Sequence, residues 1–100
     1  MLAMYRYTFR CGSAGRDAYE RFSHWAPPDG FEIKGAWTSA DNGGGFILAE
    51  AADVGALMAF SARFKDLNET IEITPVVELG EGLAIVQQAY AWVDSVRPAS

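Results

Sequence analysis

With one cysteine, Cys11, and one histidine, His24, the chain is too poor in soft ligands and thiol–imidazole partners for several chemistries. A structural zinc site takes about four Cys or His ligands, and an activated thiol needs a histidine that a third group orients. Neither set can be assembled, and no phosphate-binding, dinucleotide-binding or nucleophile-elbow pattern is present. No metal and no cofactor is therefore expected. Gly43-Gly44-Gly45 leads into a strand rather than a helix N-terminus, so it reads as a bend and not as a phosphate cradle. A lone thiol forms no internal disulfide, which fits a reducing compartment and makes the cytoplasm the expected location.

Long apolar runs are lacking too: none approaches the ~20 residues needed to cross a bilayer. Met1 to Arg10 lacks the basic start, apolar stretch and cleavage site of a signal peptide and reads as a strand. Basic residues are scarce, 8 against 13 acidic for a net charge of −5, and no window concentrates them. Nucleic acid, which is bound largely by phosphate neutralisation, is thus not an expected partner, and neither is a membrane.

What the chain does have is apolar residues, 50% of its 100 positions, enough for one core. Met1 to Arg10 mixes aromatic and polar residues and stops at Cys11-Gly12-Ser13. Ser13 is placed to cap a helix with Ala18 and Phe22 inward, Tyr19 and Trp25 beside them, and Arg16, Asp17, Glu20 and Arg21 outward. Pro27 and Pro28 stop it, and Pro28-Asp29-Gly30 turns the chain. Phe31 to Thr38 alternates Phe31, Ile33, Gly35 and Trp37 against Glu32, Lys34, Ala36 and Thr38. Asp41 to Gly45 bends into a third strand, Phe46 to Ala51. Asp53 caps a second helix, with Val54, Leu57, Met58, Ser61 and Phe64 as its expected inward stripe. A fourth strand runs from Thr70 to about Leu79, Gly80 and Gly82 punctuate, and Leu83 to Val93 forms a last helix with an unusually wide apolar surface. Residues 1–95 are expected to form a single domain and 96–100 a frayed tail.

Strand, helix, strand, strand, helix, strand is the split βαβ order of a ferredoxin-like α+β fold, here with an extra C-terminal helix. Right-handed crossovers put both helices on one face of a four-stranded antiparallel sheet and make the first and third strands central. Pro75, which cannot donate to a ladder, suits an edge position for the fourth strand. The face away from the helices is not cleanly polar, and a sheet that loses alternation in this way is usually covered twice. A homodimer formed sheet to sheet is the expected cover, with the final helix packed on the domain or its partner.

Several stretches together carry a resemblance: Ala26-Pro27-Pro28-Asp29-Gly30, Gly35-Ala36-Trp37, Gly44-Gly45-Phe46-Ile47-Leu48-Ala49-Glu50, Asp66-Leu67 and Glu72-Ile73-Thr74-Pro75-Val76. In their order and spacing, over residues 1 to about 80, the chain resembles the small bacterial proteins of domain-of-unknown-function family 3303, within the dimeric α+β barrel group. The resemblance implies the fold and a dimer. Relatives often carry histidine where this chain has Thr38 and tryptophan where it has Phe64, so no role is placed on those side chains. The wider group includes cofactor-free monooxygenases, isomerases and dehydratases acting between sheet and helices or inside the barrel, a fold-level analogy only.

The candidate site residues each have a functional and a plain reading. Histidine is the residue type suited to proton transfer near neutral pH, and His24 falls where the first helix ends, a common place for a cleft mouth, which suits a general acid; the plain reading is a cation at a helix C-terminus. Glu50 ends an apolar strand, where partial burial would raise its pKa and suit a general base; otherwise it is a wet strand end paired with Arg6 or Lys34. Trp37, Tyr5 and Tyr7 line a ligand pocket if they face a cleft, and are core if they face the helices. Arg6, if it points into a barrel, needs Glu72 or an anionic ligand, a salt bridge being the plain answer. Two functions stay open. One is a binding domain for a small apolar or aromatic molecule, extending to cofactor-free proton chemistry by His24 and Glu50. The other is a non-catalytic dimeric interaction module.

Overall fold

Alternate residues at the start of the chain face opposite ways, and the rest of the molecule is arranged around that division. A computed structural model describes residues 1–97. The elements are β1 (Leu2–Phe9), α1 (Ala14–Ser23), β2 (Phe31–Thr38), β3 (Gly44–Ala51), α2 (Val54–Ala62), a 3-10 turn (Lys65–Leu67), β4 (Asn68–Val76) and α3 (Leu79–Val96). The antiparallel sheet has the order β2-β3-β1-β4, so β1 and β3 are central and Pro75 lies on an edge strand, as expected. This is the ferredoxin-like α+β fold.

Ala3 and Tyr5 of β1, with Ile47, Ala49 and Ala51 of β3, are buried beneath α1 and α2. Phe60 of α2 stands at the centre of this core. Its ring meets Tyr5 edge-on at 5.1 Å and stacks on Phe31 at 5.0 Å, with Trp25 at 5.0 Å and Phe64 at 5.5 Å. The inward stripe of α2 is therefore Leu57, Phe60 and, one turn on, Phe64, which corrects the expected one. Val54 and Met58 are 55% and 63% exposed, because the Asp53 cap fixes where the helix starts and hence which face turns in. That cap is as expected: Asp53 Oδ1 accepts from Ala56 N at 2.9 Å. Ser13 takes the cap position of α1, but its hydroxyl donates to Asp17 Oδ2 instead of capping.

Turns follow residue chemistry. Gly30 adopts φ 81° between the prolines and β2, and Asn42 adopts φ 58° in the β2–β3 bend, where Asp41 Oδ1 accepts from Gly43 N. Two boundaries differ from expectation. The 3-10 turn delivers the chain into β4 at Asn68, and Glu78 accepts from Gly80 N and Glu81 N, starting α3 at Leu79 with both glycines inside its first turn. α3 continues to Val96; the remainder of the expected frayed tail, residues 98–100, lies outside the described residues.

A third difference lies within β2. Ile33 pairs with Ala49 and Gly35 with Leu48, leaving Lys34 as an extra residue in a bulge. Phe31 and Ile33 face the helices, but beyond the bulge the parity reverses, and Ala36 takes that face while Trp37 takes the other. The single alternation expected over Phe31 to Thr38 is thus two half-patterns.

α3 contributes no buried residue, so of the two expected covers for it, its own domain or a partner, its own domain is not the one it uses. Its radius of gyration shows the same: 18.1 Å for the chain against about 13 Å for a compact domain of this size. No helix among the described residues is long and apolar enough to cross a membrane.

Phe60→Ala should cost about 3–5 kcal/mol by removing the central ring, whereas Met58→Ala, two residues away and exposed, should stay within about 0.5 kcal/mol. Urea unfolding of the two variants checks the assignment of the α2 face.

Candidate functional site

The aromatic core leaves space at one end. Between the sheet and the helices lies a cavity of about 280 Å³. Tyr5, Tyr7 and Phe9 of β1 form its floor with Ile47 and Ile71, and Phe22, Phe60 and Phe64 close it from above. Exposed Ala36, Thr38 and Tyr19 mark its mouth, and buried Phe64 and Asn68 its inner end. The small Ala36 reaches this face because of the Lys34 bulge. Trp37 borders the cavity along β2, but the register puts its side chain on the opposite face, where a Cβ at Gly35 would come within 2.6 Å of the indole. Tyr7 lies opposite Gly45, and a Cβ there would stand 2.7 Å from the Tyr7 hydroxyl, so the glycine makes room for the ring.

Polar groups in the walls are few. The Tyr5 hydroxyl donates to the buried carbonyl of Leu57 at 2.6 Å, and burial pushes its pKa up to about 12. Burial, and secondarily the charge of Tyr19, holds Tyr7 above the ordinary phenol range. Both are neutral hydroxyls at physiological pH. Asn68 Nδ2 donates to Phe64 O at 3.1 Å. Among the described residues no charged side chain lines the cavity.

The sequence candidates fall in three places. Trp37, Arg6 and Glu72 share one transverse row on the sheet face away from the helices, in the order Trp37, Phe46, Arg6, Glu72 across the four strands. Arg6 forms no ion pair with Glu72 among the described residues; its guanidinium lies 5.9 Å from the centre of the Phe46 ring, leaning toward β3 instead of β4. Glu50 is on the same face at the far end of β3, where it pairs with the Met1 amine at 2.8 Å. The expected partners Arg6 and Lys34 are elsewhere: β1 starts opposite Glu50, bringing the amine there, and Lys34 pairs with Glu32 at 3.4 Å. His24 is the exposed C-cap of α1. Neither His24 nor Glu50 lines the cavity. Tyr5 and Tyr7 do.

Sequence reasoning missed Asn68, Phe60 and Phe9. Phe60 and Phe64, four residues apart on a helix, were a usable signal for an aromatic wall. Asn68, between Leu67 and Glu69, gave none, since only the 3-10 turn points it inward. Among the described residues no group of three His, Cys, Asp or Glu is placed to hold a metal ion.

Fold and cavity define a ferredoxin-like α+β domain with an aromatic chamber under its helices. Within that class, residues 1–90 match the model of the domain of unknown function DUF3303, and the chain belongs to that family. No curated protein matches it. Among solved structures the chain is similar to that of Rv0793 from Mycobacterium tuberculosis, at 16% identity and a TM-score of 0.45, over 78% of this chain and 96% of that one.

Tyr5 supplies a pH test. Its folded-state pKa lies above the unfolded value of 10.0, so its contribution is fully present below pH 10 and is lost as pH rises toward 12. Tyr5→Phe should cost about 1 kcal/mol at neutral pH. It should also flatten the fall in melting temperature between pH 10 and 12, and an unaltered alkaline slope would count against the buried hydroxyl.

Proposed function

We propose that this domain binds a small, uncharged apolar or aromatic molecule in the cavity between sheet and helices, and that it does so as a homodimer paired through the open sheet face. The observation that carries the first part is the cavity itself, concave, walled by aromatic rings and free of charge. Concave apolar sites with a few fixed polar groups are where proteins hold small ligands. Transfer of an aromatic molecule from water into such walls is favourable, and offset or edge-on contact with the rings adds to it.

Support for the dimer comes from two apolar surfaces. Trp37 and Phe46 are 54% and 39% exposed on the open face, beside half-buried Leu2, Met4 and Leu48. α3 bears an apolar arc with Leu83 and Tyr90 52% and 63% exposed at one edge and Ile85 and Trp92 55% and 66% at the other. Surfaces of this kind are rarely left to water. Arg6 and Glu72 lie in the same open-face row, so two copies facing one another across a twofold axis bring opposite charges within reach of each other. A permanent interface of this kind buries roughly 2,000 Å² or more.

The same surfaces favour the second reading, a non-catalytic interaction module, in which α3 holds a partner protein and the cavity stays empty. Ligand binding decides between them. Naphthalene should bind the full chain saturably, one molecule per cavity, and Ala36→Phe at the mouth should abolish that binding without lowering the melting temperature. Absence of saturable binding would leave the interaction module. His24→Ala and Glu50→Gln, both outside the cavity, should leave the affinity unchanged; a large loss in either would move the site to them.

Light scattering should give twice the 10.9 kDa chain mass at micromolar concentration, and Leu48→Glu on the open face should reduce it to one chain with its circular dichroism intact. A monomeric wild type would overturn the dimer.

A further inference from the structure

The cavity has one polar group to spare, and it stands toward the open end. Thr38, Gly45, Tyr7 and Ile71 lie in one row across the four strands, on the helix side of the sheet. Tyr7 leans along that row away from Ile71, so that its hydroxyl comes within 2.7 Å of where a Cβ at Gly45 would stand. The next strand along the row is β2, where Thr38 marks the mouth. Beneath the Tyr7 oxygen is bare glycine backbone, and above it is the cavity that Tyr7 and Thr38 both line.

This hydroxyl is unpaired. Tyr5 donates to Leu57 O at 2.6 Å and Tyr19 to Asn42 Oδ1 at 3.4 Å, whereas half-buried Tyr7 forms no side-chain hydrogen bond among the described residues. Nor is it shut off: the one unpaired side-chain polar atom of a buried or half-buried described residue that water cannot reach is Asn68 Oδ1. The Tyr7 oxygen is thus open to a molecule in the cavity, with a proton to give and no protein acceptor for it.

The walls decide what accepts that proton. A ligand hydroxyl donating to Tyr7 would leave the phenol proton still without a partner, whereas a carbonyl oxygen takes it. A carboxylate or phosphate would face the cavity without a counter-ion, because Arg10 is taken up by Asn68 O and Arg21 by Asp66 and Arg63 O. Burial, and secondarily Tyr19, raises the Tyr7 pKa, so the proton stays on the oxygen at neutral pH. The volume, 280 Å³, lies below the roughly 300–1,000 Å³ that serves drug-sized ligands, which suits one or two rings.

Building on the ligand-binding reading above, we propose that the cavity takes a neutral one- or two-ring aromatic carbonyl compound, its rings among Phe22, Phe60 and Phe64 and its carbonyl oxygen toward the mouth, where the Tyr7 hydroxyl donates to it. Tyr7 positions the ligand, and the phenylalanines supply most of the affinity.

The test compares 2-acetylnaphthalene with 2-isopropenylnaphthalene, which has the same shape with a methylene group in place of the carbonyl oxygen, by calorimetry on the full chain and on Tyr7→Phe. The quantity read is the ratio of the two affinities, which a general change in the cavity leaves alone. That ratio should fall roughly three- to tenfold in favour of the hydrocarbon in Tyr7→Phe, the size of one hydrogen bond. Independently of the variant's folding, the infrared carbonyl band of 2-acetylnaphthalene bound to the wild type should lie below its position in an apolar solvent, since accepting a hydrogen bond weakens the C=O bond. An unchanged ratio in Tyr7→Phe, or a wild-type band at the apolar-solvent position, would each overturn the Tyr7 contact and leave the apolar site standing. Failure of both compounds to bind would remove the site itself.

Discussion

Phe60 is the constraint on which the arrangement depends. One phenyl ring on α2 touches β1 through Tyr5, β2 through Phe31 and the segment after α1 through Trp25, so both helices are placed on the sheet by the same side chain. Edge-on and stacked pairs of this kind each add about 0.5–1.5 kcal/mol beyond simple burial and demand particular angles. On one side of Phe60 the sheet offers Ala3, Ala49 and Ala51, small residues over which the rings settle closely. On the other side Ala18 of α1 and Ala36 of β2 are also small, and with Tyr7 laid over Gly45 and Phe9 packed against the Ala18 cluster, no ring fills the space between sheet and helices. The cavity follows from the stiffness of the same aromatic set that makes the core.

The two sheet faces divide the chemistry. Toward the helices everything is neutral, and the buried tyrosines remain protonated. Away from them lie the charges, in rows: Arg6 and Glu72 beside Phe46 and Trp37, then Leu48 and Met4, then Glu50 with Glu32. α1 is joined to the segment leading into β4 by Arg21, whose guanidinium meets Asp66 through both nitrogens at 2.7 and 3.1 Å and holds that carboxyl below its usual range. Both side chains are exposed, so the pair sets geometry more than stability. What it positions is the turn that carries Asn68 into the cavity wall.

The fold was legible from residues with one strong local preference. Asp53 capped, Gly30 and the prolines turned, Pro75 kept to an edge, and the order of elements left a single topology with chain-wide consequences. The placement of individual side chains was less accessible, for identifiable reasons. Glu78 captured two backbone amides and pulled Gly80 and Gly82 into a helix that their own preferences oppose. Glu50 met the Met1 amine, a partner whose position depends on β1–β3 register and not on any nearby residue. Arg6 chose a ring over a carboxylate that faces it directly. Trp37 was assigned with Phe31 and Ile33 because a period of two runs through them, although Gly35 inside a strand was a sign of a bulge.

The bulge has a consequence for how this site arose or is lost. A bulge changes which side every later residue of a strand presents, and β2 has only four residues beyond it, all in or beside the cavity wall. Were Lys34 to take a place of its own in the ladder, opposite Leu48, each later residue would step on by one: Gly35 would meet Ile47, Ala36 would meet Phe46, and Trp37 would meet Gly45 on the helix face, where its indole would plug the chamber. The chamber thus stays open because one residue of β2 is left out of the pairing, with no change in residue type or in the order of the strands.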